Sequence, residues 1–174
     1  MPEEMVKELR SNGNLFQEST GRALLAAAGA GRDWSNNRGI FRADSRKFFV
    51  WVNEEDHMRL ISMGEGGDIV AILTHWSKGI EKMRTVLEEL DSGFQFDDHF
   101  GYIHTCPSNL STGLRASAMI LLPLLSEALT PYHFEDYAKR FEVQARGGLV
   151  DDTPAGPVGN WDISNNQRIV FTEV

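Results

Sequence analysis

Two β-rich runs, Lys47 to Val52 and Met58 to Met63, stand only five residues apart, with Asn53-Glu54-Glu55-Asp56-His57 between them. A connection that short joins strands as a hairpin or a tight strand-to-strand corner, so this part of the chain is committed to antiparallel pairing. The same pattern recurs twice. Phe100 to Thr105 and Leu114 to Leu122 read as a second hairpin across the loop from Cys106 to Gly113, and Asn160 to Ser164 with Gln167 to Thr172 as a third, turned by Asn165-Asn166. Helical patterns lie between them. Ile69, Ile72, Leu73, Trp76, Ile80, Met83, Leu87 and Leu90 recur at the spacing of one buried helical face, and Asp68 is placed to cap it after Gly64 to Gly67. Ser126 to Phe141 reads as a further helix with Pro131 accommodated in a first turn. Glu3 to Leu9 and Arg22 to Ala28 read as short helices, Ile40-Phe41 and Glu142 to Arg146 as short strands, and Gly147 to Pro157 as a loop. Hairpins interrupted by helices predict an α+β fold, an antiparallel β-sheet covered on one face by helices.

The chain has 174 residues, of which 41% are hydrophobic, enough to bury a core without disulfides or metal. Residues 1–14 read as a helical remnant or linker and residues 15–174 as a single domain. A formal net charge of -8 argues against a general nucleic-acid binder while leaving room for a local basic pocket. The single cysteine, Cys106, rules out an intrachain disulfide framework and favours a reducing compartment, read here as cytoplasm. No apolar run approaches the ~20 residues of a spanning helix, and the acidic start Met1-Pro2-Glu3-Glu4 does not resemble a secretory signal, so no membrane association is expected.

Charge gathered at one end of a sheet suits ligand handling, and Glu54, Glu55, Asp56, His57 and Arg59 gather there; a solvated turn is the alternative. Arg59, Arg115 and Arg146 each stand at a strand end or loop entry. Guanidinium groups converging from separate strands suit a polyphosphate, because each offers paired donors and stays charged; surface ion pairing with the excess carboxylates is the competing reading. Gly64 to Gly67 lacks the lysine and hydroxyl of a Walker motif and reads as a plain turn. Cys106 is followed by Pro107 and Ser108, whose hydroxyl could hydrogen-bond a thiolate. His104 lies close by, but no orienting acid is evident for a Cys/His hydrolase. Asp97-Asp98-His99 with His104 matches no zinc or calcium ligand spacing, and no metal site is expected.

Several longer stretches together resemble one family. They are Phe49 to His57, Ile61-Ser62-Met63 with Gly66-Gly67-Asp68, Gly101-Tyr102-Ile103, Thr105 to Leu110, Thr112 to Ala116, Gln144 with Arg146-Gly147, and Asp162 to Asn165. In order and spacing they are similar to the catalytic C-terminal domain of phosphagen (ATP:guanidino) kinases. The wording Thr-Cys-Pro-Ser-Asn-Leu and Thr-Gly-Leu-Arg-Ala is closer to the creatine kinase branch than to arginine kinases.

The resemblance implies the glutamine-synthetase-like catalytic domain of that family, present here in incomplete form. It implies a reversible transfer of the ATP γ-phosphoryl group to a guanidino acceptor, with ATP and Mg2+ as cofactors. Glu55 matches the carboxylate that clamps the substrate guanidinium and accepts its proton. Cys106 matches the thiolate that orients the guanidino group, with Ser108 beside it. Arg59, Arg115 and Arg146 match arginines that hold the ATP phosphates, and Asp152 matches the acidic residue of the loop that follows. Partners are then the guanidino substrate and ATP/ADP, with association into a homo-oligomer also compatible. Met119 stands where the creatine branch usually has a histidine, and Ser111 replaces a glycine. The chain is expected to lack the family's small N-terminal domain, its arginine-rich strand and its C-terminal helix. A second expectation therefore stands beside the enzyme: a truncated, non-catalytic derivative that binds nucleotide weakly or serves as an interaction module.

Overall fold

The structure is a computed structural model that describes residues 3–11, 15, 26, 27, 29, 31–34, 36–129, 131–147 and 159–166. Its backbone packs into two units, Leu15–Pro107 and a second made of Met1–Asn14 with Ser108–Val174.

In the first unit, β1 (Gly39–Arg42), β2 (Phe48–Val52) and β3 (Met58–Ser62) form an antiparallel sheet in that order. Phe49 and Val50 are its buried residues. The predicted hairpin is present, with Phe48 opposite Ser62 and Val52 opposite Met58. Asn53 opens the bend at φ 55°, a left-handed conformation that asparagine tolerates better than most residues. Helix α2 (Ile69–Glu89) follows, capped as expected by Asp68, whose Oδ1 accepts the Ala71 N–H at 2.9 Å. The helix lies against β2 and β3. Trp76 Nε1–H donates to the Leu60 carbonyl at 3.3 Å and Ser62 Oγ–H to the Ile72 carbonyl at 3.3 Å. Ile72, Trp76, Ile80, Met83 and Leu87 are half-buried as the spacing predicts, whereas Ile69, Leu73 and Leu90 are exposed.

Gly79 lets the helix sit close against β2: a methyl group there would run into the Phe48 ring. Alanine ordinarily improves a helix interior by about 1 kcal/mol over glycine. Here overpacking reverses the sign, and Gly79→Ala is expected to destabilise the fold by ~1–3 kcal/mol. Denaturant unfolding of the variant, with Gly79→Ala/Phe48→Leu expected to recover most of the loss, checks this.

The second predicted hairpin is not formed. Of Phe100 to Thr105, only β5 (Gly101–Tyr102) is strand, and it pairs with β4 (Phe96–Asp97). Asp97 Oδ1 accepts the N–H groups of His99 and Phe100 at 2.8 and 3.0 Å, turning the chain back on itself. These two bonds hold its carboxyl below the usual range. The N–H groups of Thr105 and Cys106 go to a side chain instead of a ladder, so the strand stops before them.

In the second unit, α1 (Glu3–Ser11) is followed after residue 107 by β6 (Ser117–Leu121), α3 (Pro123–Ala128), α4 (Pro131–Lys139), β7 (Val143–Gly147) and β8 (Asn160–Asn165). The sheet order is β6-β8-β7, all antiparallel. Thus β8 is a central strand, and β6 pairs with it rather than with residues 100–105. The expected partner run 167–172 lies outside the described residues, as does most of the expected helix 22–28. The single helix expected over 126–141 is two. Pro123 starts α3, Leu129 is extended at its end, and Pro131 starts α4, because proline cannot extend a preceding helix.

Side chains alternate across this sheet. One face carries Ala145, Trp161 and Ile163 against Phe134 and Ala138 of α4, with Leu122, Leu125, Leu129 and Val143 around them. Trp161 lies 4.2 Å from the Phe134 ring centre and donates Nε1–H to Ser126 Oγ at 2.7 Å. The opposite face carries Gln144, Arg146, Asp162, Ser164 and Met119, as the registers Arg146↔Asp162, Gln144↔Ser164 and Met119↔Asp162 require. Among the described residues no helix is long and apolar enough to cross a membrane.

Candidate functional site

The charged bend between β2 and β3 gives its three carboxylates three different environments. Arg59 on β3 stands opposite Trp51 on β2, with its guanidinium carbon 5.5 Å from the centre of the indole ring. From there its Nη2 reaches Glu54 Oε2 at 3.0 Å and Glu55 Oε2 at 3.7 Å. Both glutamates are largely shielded, with side chains 10% and 12% exposed. Glu54 is the closer partner of the arginine. Burial raises its pKa above the ordinary 4.5, and the charge of Arg59 only partly offsets that.

A carboxyl whose folded value exceeds its unfolded one favours folding below the unfolded value, and the benefit is lost as pH rises through the folded value. Measured against Glu54→Gln, the native chain should therefore be relatively most stable below the ordinary glutamate range and lose ground as pH climbs above it. Melting temperatures of both proteins across that range check the sign, with the carboxylates away from the bend cancelling in the difference.

Asp56 turns the other way. It is buried, 8% exposed, and its Oδ1 accepts the N–H of Thr105 at 2.7 Å and of Cys106 at 3.3 Å. Its Oδ2 lies 3.7 Å from His104 Nδ1. The residue next to Glu55 thus grips the backbone of Cys106, which brings the carboxylate bend and the thiol loop together within the first unit. Cys106 is half-buried at the start of a short 3-10 turn, Pro107–Asn109.

In the second unit, Arg115 pairs with the Asp162 carboxylate, and Arg146 stands across from Asp162 in the sheet. Arg115 Nη2 donates to Asp162 Oδ2 at 2.6 Å and Nη1 to Ser117 Oγ at 3.2 Å. Arg146 lies directly across from Asp162 in the β7-β8 register and donates to Gln144 Oε1 at 3.1 Å. The segment carrying Arg115 is pinned by Asn165, whose Nδ2 donates to the Leu114 carbonyl at 3.0 Å and whose Oδ1 accepts the Ala116 N–H at 3.0 Å. Asp152 and the side chain of Ser108 lie outside the described residues.

Of the predicted residues, the structure brings Glu55, Arg59 and Cys106 into one group and Arg115 and Arg146 into another. Sequence reasoning names Asp56 only within the charged bend and Asp162 and Asn165 only within a motif, and does not find that they hold the Thr105-Cys106 backbone, Arg115 and its segment. Their only signal was position: Asp56 beside Glu55, and Asp162 and Asn165 in one short motif.

Anionic oxygens beside a thiol can grip a planar cation through charge-assisted hydrogen bonds, and paired guanidiniums can grip phosphate oxygens. Among the described residues no group of three or more His, Cys, Asp or Glu is placed to hold a metal ion. A magnesium ion keeps several waters and binds largely through phosphate oxygens with at most one or two carboxylates, so one carried by a phosphate ligand needs no such group.

A family model described as ATP:guanido phosphotransferase, C-terminal catalytic domain, matches residues 1–174. Creatine kinase, testis isozyme, of Oncorhynchus mykiss is 43% identical over 87% of this chain and 38% of its own length. Creatine kinase M-type of Gallus gallus is 41% identical over 100% of this chain and 44% of its own. The chain thus spans less than half the length of the curated relatives it matches. Among solved structures, that of a lombricine kinase superposes with a TM-score of 0.88 at 35% identity, covering 99% of this chain and 46% of the other. The duplicated taurocyamine kinase from Schistosoma mansoni, with bound transition state analogue components, superposes with a TM-score of 0.84 at 39% identity, covering 99% and 23%. The chain belongs to the ATP:guanido phosphotransferase family and carries its C-terminal catalytic domain.

Proposed function

We propose that this chain carries the reaction centre of an ATP:guanidino phosphotransferase, with magnesium-ATP and a guanidino compound of the creatine type as substrates. The observation that carries the reading is the grip of Asp56 on the Thr105-Cys106 backbone, which sets the Glu55 bend beside the thiol loop.

Glu55 accepts hydrogen bonds from the substrate guanidinium and takes the proton that its attacking nitrogen releases. Cys106, with Ser108 following it, orients the same planar group without attacking it. That nitrogen forms a bond to the γ-phosphorus as the bond to the β-γ bridging oxygen breaks, and ADP leaves with that electron pair. Arg59, Arg115 and Arg146 neutralise the phosphate oxygens, each charge-assisted contact contributing about 1.5–3 kcal/mol, with Asp152 on the adjoining loop. Catalysis is then mostly alignment and charge stabilisation. Asp162 pairs with Arg115, so an incoming phosphate competes with that ion pair.

Support for creatine over other acceptors is the wording of the two central motifs, together with creatine kinases at 41–43% identity. We further assign residues 15–174 to the catalytic domain, residues 1–14 to a helical remnant or linker, and the chain to the cytoplasm, the last resting on its single cysteine.

An ADP-coupled assay with creatine, arginine, taurocyamine and glycocyamine tests the reading. Acceptor-dependent ADP formation is expected, fastest with creatine. ADP formation no faster than the acceptor-free blank with all four would reject it and leave a non-catalytic nucleotide-binding or interaction module.

A further inference from the structure

Asp56 and His104 are titratable groups beside the bend to which the phosphotransferase reading gives no part in the chemistry. Asp56 is nearly inaccessible, yet its carboxylate is spent on backbone: one oxygen receives two successive N–H groups, those of Thr105 and Cys106. A buried carboxylate is retained only where hydrogen bonds compensate its lost hydration. Two main-chain donors converging on Oδ1 do so, and they fix the thiol loop at the residue that carries the thiol. The second oxygen faces the imidazole of His104 at 3.7 Å, and the far nitrogen of that ring, Nε2, is buried with no hydrogen-bonding group within reach among the described residues. Residue 104 precedes the gripped peptides directly, so the ring packs the carboxylate against the segment that it holds. Glu54 and Glu55, two and one positions before Asp56, are drawn toward Arg59 instead and leave Asp56 to the loop.

We propose that Asp56 is a positioning residue, fixing where Cys106 stands relative to Glu55, and that His104 keeps the Asp56 carboxylate aimed at the loop. This rests on the phosphotransferase reading for its consequence but not for its geometry. Asp56 touches no substrate; it sets the spacing of the two groups that do. Asparagine at position 56 retains an oxygen for both N–H groups, alanine retains none, and leucine at position 104 removes the imidazole while filling its space.

The test is amide hydrogen exchange of the 15N-labelled full chain, read residue by residue. In Asp56→Ala, exchange at Thr105 and Cys106 is expected to accelerate at least tenfold while the amides of β2, β3 and α2 change less than threefold. Asp56→Asn is expected to keep most of the native protection, and His104→Leu to lose about threefold at the same two amides. If Asp56→Ala does not fold, His104→Leu and Asp56→Asn carry the test. Native Thr105 and Cys106 amides that exchange as fast as exposed ones, acceleration spread evenly over the unit, or His104→Leu indistinguishable from native would overturn the proposal.

Activity adds a separate arm. Asp56→Ala, or Asp56→Asn to a smaller extent, should raise the KM for the guanidino acceptor at least fivefold with the KM for ATP nearly unchanged, and equal rises in both would contradict positioning. Absence of turnover in the native chain counts against the phosphotransferase reading alone, since the exchange result stands without it.

Discussion

Glu55→Gln is expected to lower phosphoryl transfer by about 10²- to 10⁴-fold, the range for losing a positioned general base. Glutamine keeps the size of the side chain but cannot take a proton, and it turns an NH2 group toward a guanidinium that is itself all donor. The fold should hardly notice. Glu55 stands 3.7 Å from Arg59, whereas Glu54 holds the same guanidinium at 3.0 Å, so the arginine stays in place when Glu55 is neutralised. The buried carboxylate that secures the Thr105-Cys106 loop belongs to Asp56 and is untouched. Initial rates together with thermal melting check both halves. A folded variant within a few-fold of native turnover would remove Glu55 from the reaction.

Trp161→Ala should have the largest effect on stability. The indole is 4% exposed at the centre of the second unit's core, lies 4.2 Å from the Phe134 ring centre and donates to Ser126. Removing it takes away the transfer free energy of the ring and leaves a cavity, together about 3–5 kcal/mol. That is a large share of the roughly 5–15 kcal/mol by which a domain is stable. The damage extends to function through the backbone: Asp162 follows Trp161 on β8, and it holds Arg115 and stands opposite Arg146 in the sheet. Trp161→Phe should lose only the ring's extra area and one hydrogen bond, because Ser126 Oγ–H still donates to the Leu122 carbonyl at 2.9 Å. The two units need not unfold together, so amide exchange in β7 and β8 is the measurement. Unchanged protection there in Trp161→Ala would contradict this account of the core.

What could be read from the residues was local. The β2-β3 hairpin and the cap at Asp68 each need only a few neighbouring positions, and both are found where expected. The pairing of β6 with β8 joins Ser117 to Ser164, nearly fifty residues apart, and no short-range pattern separates that partner from the nearer run at 100–105. Pro131 was visible, but whether it would sit inside one helix or divide two depended on Leu129 being extended. At the site, three adjacent carboxylates looked alike in sequence. Only the fold gives them separate work: Glu54 to the arginine, Asp56 to the loop, and Glu55 left with the longer contact. In sequence the arginines read either as phosphate holders or as ion-pair partners, and Arg59 and Arg115 stand in ion pairs. Those pairs preset the guanidiniums without deciding what displaces the carboxylates.

Phosphorus NMR of the purified chain with magnesium-ATP and creatine decides whether the carboxylate, the thiol and the arginines make one reaction centre. A new N-phosphoryl resonance should grow in step with ADP and be lost in Glu55→Gln. ATP left intact, or converted only to ADP and inorganic phosphate at a rate indifferent to creatine and to Glu55, would contradict it.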